Sequence, residues 1–171
     1  ILQRKGKTNQ NGRVYPDEVL IREAEKYSKT FIAQRRAMGE LDHPESSVVN
    51  LKNVSHNVIE MHWVGDDLVG TVEVLTTPNG NILRELFKNG IKLGISSRGL
   101  GTLKKISEDV SVVDDDFELI AFDFVSNPST YGAFMYPVGK TPLSEGIVKN
   151  PITNRWEKTD DIVRNILLEI G

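Results

Sequence analysis

Apolar residues follow two periods along the chain, and the change of period marks its elements. Leu20, Ala24, Tyr27 and Phe31 recur at helical steps, with Arg22, Lys26, Lys29 and Arg36 opposite them; this is a helix that buries one stripe. Pro16 suits the first helical position, and Asp17 and Glu18 suit the positive end of the helix dipole. The spacing predicts a helix over about 16–37, ended by Gly39. Ahead of it, residues 6–13 are polar and turn-rich, with Asn11-Gly12 the strongest turn signal.

From residue 54 the period drops to two. Asn57, Ile59, Met61 and Trp63 are predicted on one face of a strand, and His56, Val58, Glu60 and His62 on the other. Gly65-Asp66-Asp67 reads as a turn and Leu68–Leu75 as the returning strand of a hairpin. Pro78-Asn79-Gly80-Asn81 opens a short helix over about 80–89, with Ile82, Leu83, Leu86 and Phe87 inward. Residues 91–105 read as a strand broken by glycines, and 109–125 as two short strands around the turn Asp114-Asp115-Asp116, closed by Asn127-Pro128. After Pro137, the residues Gly139, Pro142, Gly146 and Pro151 mark a linker over 138–156, and Ile162, Ile166 and Ile170 mark a last helix over 157–171. The predicted organisation is a β-rich α+β body over 1–137, a small bent sheet or β-barrel with flanking helices, followed by that linker and C-terminal helix.

Composition narrows the chemistry. The 171 residues are enough for a real core. With no Cys, disulfides, thiol catalysis, thiolate metal sites and iron–sulfur clusters are excluded. The 21 basic and 24 acidic side chains leave a net charge of −3, which gives no basic field for nucleic acid. No apolar run reaches the ~18–20 residues that cross a bilayer, so neither nucleic acid nor membrane is expected as a partner. Ile1 in place of Met predicts a trimmed or processed chain.

Three constellations compete for function. The first is His43, Ser96 and Asp123. A serine hydroxyl needs a base to take its proton and a third group to hold that base. Pro44 pushes His43 towards an extended conformation on a strand end or loop. Alternation puts Ser97 with Leu93 and Ile95 on a core face, and Ser96 with Gly94 and Arg98 on a face open to a cleft, making Ser96 the better nucleophile. Asp123 lies within the apolar run Leu119–Val125, where a carboxylate must be paired; the plain alternatives are a structural ion pair for Asp123 and an ordinary loop histidine for His43. The second constellation is a metal site from His56, Glu60 and His62, but a strand rising ~3.3 Å per residue separates the two histidines by about 20 Å. The third is phosphate binding at Gly94–Gly101 or Asn79-Gly80-Asn81, neither of which has the Gly-Lys-Ser/Thr ending of a P-loop. Arg98 reads better as a stabiliser of developing negative charge.

Four segments then carry a resemblance: Asn9-Gln10-Asn11-Gly12-Arg13-Val14-Tyr15-Pro16, Gly39-Glu40-Leu41-Asp42-His43-Pro44, Gly94-Ile95-Ser96-Ser97-Arg98-Gly99-Leu100-Gly101 and Phe122-Asp123-Phe124-Val125-Ser126-Asn127-Pro128-Ser129. In this order the chain resembles the phage prohead (capsid-maturation) core protein serine proteases of T-even type, which are distantly similar in fold to herpesvirus assemblin. The resemblance covers about residues 1–137 and implies an endopeptidase that digests scaffold and core proteins and trims capsid proteins inside the prohead, assembled in the host cytoplasm. It implies His43 as general base and Ser96 as nucleophile. Assemblin has a second histidine in the third position and the phage enzymes an acid, here assigned to Asp123. Ser97, Arg98 and Gly99 are expected to hold the oxyanion and substrate. Cleavage is expected after Glu with an aliphatic residue two positions earlier, which makes Leu167-Leu168-Glu169 a candidate for self-processing at Glu169. Acceptance of Glu requires a cationic pocket, with Arg98, Lys104 and Lys105 as candidates. No metal or organic cofactor and a homo-oligomer are expected. The rivals are a non-catalytic capsid or scaffold component with the same fold, and a metal-dependent hydrolase built at His62.

Overall fold

A computed structural model describes residues 1–137; the predicted linker, the last helix and Glu169 lie outside the described residues. In chain order the elements are β1 (Gln3–Arg4), β2 (Arg13–Val14), α1 (Asp17–Tyr27), β3 (Met38–Glu40), β4 (Val54–Val64), β5 (Asp67–Val74), α2 (Pro78–Lys88), β6 (Gly94–Leu100), β7 (Leu103–Lys105), β8 (Ser111–Val113) and β9 (Glu118–Val125).

The β4–β5 hairpin turns at Gly65, whose φ of +60° suits glycine. It takes β1 on one side and β3 on the other, giving the antiparallel order β1-β5-β4-β3. Just past β3, Leu41 bridges Phe124 in parallel and the Asp42 N–H donates to the Phe124 carbonyl (2.8 Å), which attaches β9. β9 in turn pairs antiparallel with β6. The sheet therefore curls into a half-barrel, as expected for a strongly bent small sheet. Leu20, Ala24 and Tyr27 of α1 pack in one buried cluster with Val58, Ile95 and Phe122 from its strands. A second cluster joins Leu83 and Phe87 of α2 to Val74, Leu93 and Phe124. A separate sheet, β2-β8-β7, includes a parallel β2–β8 pair.

Three local expectations change. The first helix does not run to 37: after Tyr27 the residues Ser28–Ile32 form a π-helical turn, with the Ala33 N–H donating to the Ser28 carbonyl (3.0 Å), and the chain leaves it to enter β3. Gly39 is thus a strand residue. A Cβ there would stand 1.9 Å from the Phe122 carbonyl oxygen and 2.4 Å from His56 Nε2, so only glycine admits this close crossing. In α2, Leu83 and Phe87 are buried as predicted while Ile82 is half exposed. In β4 a bulge between Val58 and Glu60 inserts Ile59 as an extra residue. The alternation changes parity there: Val58 belongs to the first core cluster and Met61 and Trp63 pack against it, while Glu60 and His62 are exposed. His56, predicted to share a face with Glu60 and His62, is instead fully buried.

Candidate active site

β6 and β9 place Ser96 directly opposite Asp123, so their side chains share one face of the ribbon. Arg98, two residues on, shares it too. The face is polar but not open, which corrects the expectation of an exposed cleft: Ser96 is 7% exposed, Arg98 5% and Asp123 0%. Against this face runs the segment after β3. Asp42 adopts φ +70°, a left-handed conformation that Asp tolerates better than most residues, and its Oδ1 accepts from the His43 N–H (2.9 Å). The kinked chain brings His43 Nδ1 to 2.9 Å from Asp123 Oδ2 while 40% of the histidine side chain stays exposed. The two atoms are close without forming an aligned hydrogen bond.

Asp123 is held from several directions. Its Oδ1 accepts from the Glu40 N–H (3.0 Å) and from Arg98 Nη2 (3.1 Å), and Arg98 Nε lies 2.9 Å from Oδ2. Arg98 Nη2 also donates to Glu40 Oε1 (2.9 Å), and Nη1 donates to the Ser46 carbonyl (2.8 Å). Glu40 Oε1 accepts in addition from the Asn50 N–H (3.0 Å). The guanidinium thus ties the carboxylate of Asp123 to both ends of the loop that carries His43. Its fork is directed at these partners, so it braces the site and does not reach into solvent as an anion receptor.

The two serines separate as alternation requires. The Ser96 hydroxyl shares a hydrogen bond with Ser129 Oγ (3.1 Å). Ser97 Oγ, on the opposite face, accepts from Gln3 Nε2 (2.7 Å). The Ile95 N–H bonds the Ala133 carbonyl (2.9 Å) on the side of β6 away from β9; strand geometry sends the Ser97 N–H to that same edge. A bulge between Arg98 and Gly99 shifts the pairing by one residue, so that Gly99 faces Leu119, and a Cβ at Gly99 would meet the Phe117 ring at 2.4 Å. A cavity of about 300 Å³ lies against β6, and His43, Ser97, Arg98, Gly99 and Arg13 are among its walls, with Ile120 of β9. Ser96 is not among its walls.

Glu40, Ser129 and Arg13 are residues of this neighbourhood that chemical reasoning from the sequence did not single out. Each lies inside one of the four quoted segments, and that is the signal that marks them. Lys104, one of the cations considered for an acidic pocket, pairs with Asp114 (2.8 Å), and neither it nor Lys105 is among the cavity walls.

A family model described as prohead core protein serine protease matches residues 1–144. The prohead core protein protease of Enterobacteria phage T4 is 31% identical over 132 residues, covering 75% of this chain; the match spans 62% of the length of that relative. The solved structure of the bacteriophage T4 capsid assembly protease, gp21, aligns with a TM-score of 0.70 and 29% identity over 73% of this chain and 78% of the other. A match to the family model over most of the length, a curated relative and a shared half-barrel agree: the chain belongs to the prohead core protein serine protease family.

Proposed function

We propose that this chain is a serine endopeptidase of phage head maturation, acting on scaffold, core and capsid proteins inside the prohead, and that Ser96, His43 and Asp123 carry out its acyl transfer. The body over 1–137 is the protease domain and 138–171 an appendage to it. The observation that carries the reading is the His43 ring seated 2.9 Å from the buried Asp123 carboxylate, on the face that Ser96 occupies.

His43 takes the Ser96 proton through its second nitrogen as Ser96 Oγ attacks the scissile carbonyl. Asp123 fixes the tautomer with the proton on Nδ1 and stabilises the imidazolium that forms. The Ser129 hydroxyl holds Ser96 Oγ in the resting site, so attack requires the hydroxyl to turn from Ser129 to His43. The oxyanion is taken by main-chain N–H groups at the β6 edge, with Ser97 the first donor; one such donor contributes about 2.7–4 kcal/mol to transition-state stabilisation. Arg98 acts through Asp123 and Glu40 as a positioning residue. His43 then protonates the leaving amine, and water repeats the sequence on the ester. The preferred cut follows Glu with an aliphatic residue two positions before it, and Leu167-Leu168-Glu169 is the self-processing site.

Digestion of a peptide library by wild type and Ser96→Ala, side by side, tests this reading. Cuts after Glu that vanish in the variant support it, as does labelling of Ser96 by a fluorophosphonate. Equal cutting by both proteins overturns it; absence of both cutting and labelling supports a non-catalytic capsid component.

A further inference from the structure

The segment Asn9–Pro16 contributes nothing to the acyl-transfer steps, yet it is tightly built. Asn9 Oδ1 accepts from the Asn11 N–H (2.9 Å) and the Arg13 N–H (3.0 Å), and the Asn9 N–H donates to the Arg13 carbonyl (2.9 Å). Gly12 has φ +69°, and a Cβ there would stand 2.2 Å from the Asp109 carbonyl oxygen. Arg13 then pairs with Ser111 in β8. All of this fixes the backbone of Arg13 and leaves its side chain unused. The side chain is exposed, is part of the wall of the cavity beside His43, and among the described residues makes no ion pair and no hydrogen bond.

The charges around the cavity set this residue apart. Arg98 is the other arginine on the wall, and its guanidinium is already shared between Glu40, Asp123 and the Ser46 carbonyl. Glu45, on the loop that carries His43, is the wall carboxylate. Arg13 is therefore the wall arginine that, among the described residues, no carboxylate pairs. A guanidinium offers a planar fork that matches a carboxylate, and about 300 Å³ accommodates an acidic side chain with a stretch of peptide.

We infer that Arg13 is the specificity-determining residue that receives an acidic side chain of the substrate in the cavity beside His43. The inference rests on the endopeptidase reading and assigns to Arg13 the recognition for which Arg98, Lys104 and Lys105 were the sequence-based candidates. Neutralising Glu45 removes the opposing charge and should increase the preference for an acidic side chain.

The test separates recognition from turnover by working in the full-length Ser96→Ala chain. Fluorescence anisotropy measures binding of a labelled peptide containing Leu-Leu-Glu and of its twin containing Leu-Leu-Gln. The expected result is a preference of roughly tenfold to a hundredfold for the Glu peptide, lost on adding Arg13→Gln and partly kept with Arg13→Lys. The preference should rise when Glu45→Gln is added instead. A preference that survives Arg13→Gln, or is absent from the Ser96→Ala chain itself, overturns the assignment. Failure of the wild-type chain to cut either peptide strikes at the endopeptidase reading instead, and the binding ratio still decides the role of Arg13.

Discussion

His43 and His56 both end on β9, one at the Asp123 carboxylate and the other at the Phe122 carbonyl, and what surrounds each ring decides what it can do. His56 is fully buried, with its Nδ1 accepting from Ser55 Oγ (2.9 Å) and its Nε2–H donating to the Phe122 carbonyl (2.9 Å). The ring stands edge-on to Phe124 at 4.7 Å. Burial lowers its pKa from 6.5 to about 4, although the carbonyl and the charge of Asp123 pull the other way. The ring is a neutral brace between β4 and β9. His43 also has Asp123 beside it, but it sits on a loop, partly in water, with the second ring nitrogen unpartnered among the described residues. The proposed base is the histidine whose second nitrogen is free, among the described residues, beside a cavity, not the one with both nitrogens bonded.

The sharpest way to break this contrast is to remove each ring. His43→Ala should lower kcat by about 10³–10⁴-fold or more while the thermal midpoint stays close to that of wild type, since the ring is partly exposed and packs little. A peptide-cleavage assay paired with a thermal melt checks it. A large loss of stability without loss of turnover would reverse the roles assigned to the two histidines.

Next in size is the network between them. Arg98→Met leaves Glu40 and Asp123 buried together without their guanidinium, and breaking a buried pair in this way costs about 3–5 kcal/mol. Urea unfolding should show most of that loss, and adding Glu40→Gln to Arg98→Met should recover part of it by removing one stranded charge. If Arg98→Met is as stable as wild type, the guanidinium is not the brace described here.

His56 should impose an acid limit on folding. Its folded pKa, about 4, lies below the ordinary 6.5, so the unfolded chain binds the proton more readily. The stability held by the neutral ring is complete above pH 6.5 and is lost as pH falls towards 4, by up to about 3 kcal/mol. His56→Leu removes that increment, so the difference between the two unfolding curves should shrink from pH 7 to 4. Parallel pH dependences would mean that folding does not shift the pKa of the ring.

The contrast between these histidines was only half legible in the sequence. His43 stood out because Pro44 follows it, and Asp123 because a carboxylate inside Leu119–Val125 demands partners. The hairpin was legible from alternation around a glycine turn. The parting of Glu60 and His62 from His56 was not, because one extra residue at Ile59 changes the parity of everything after it and no composition marks that residue. The π-helical turn after Tyr27 was equally hidden, since Phe31 sits where a continuing stripe would put it. Glu40 and Arg98 are 58 residues apart in sequence, and only the closing of β3 onto β9 brings them together. Local pattern reports the faces of elements; it does not report which faces meet.

The smallest effect concerns the neighbouring serines, where the same logic of faces applies within one dipeptide. Ser97 Oγ accepts from Gln3 Nε2 (2.7 Å), and Gln3 Oε1 is itself bonded by Thr130 Oγ1 and by the Arg4 N–H (2.9 Å). Gln3 is 1% exposed, so removing the Ser97 hydroxyl leaves a buried amide donor short of a partner and should cost about 1 kcal/mol of stability. The Ser97 main-chain N–H, the group assigned to the oxyanion, is untouched by that change. Ser97→Ala should therefore keep kcat within roughly tenfold of wild type, less than the loss of a full oxyanion donor, whereas Ser96→Ala should abolish turnover without disturbing Gln3. Loss of all cleavage in Ser97→Ala at near-normal stability would move the nucleophile to the other face of β6 and separate it from Asp123, its cross-strand neighbour Ser96 and the base that Asp123 holds.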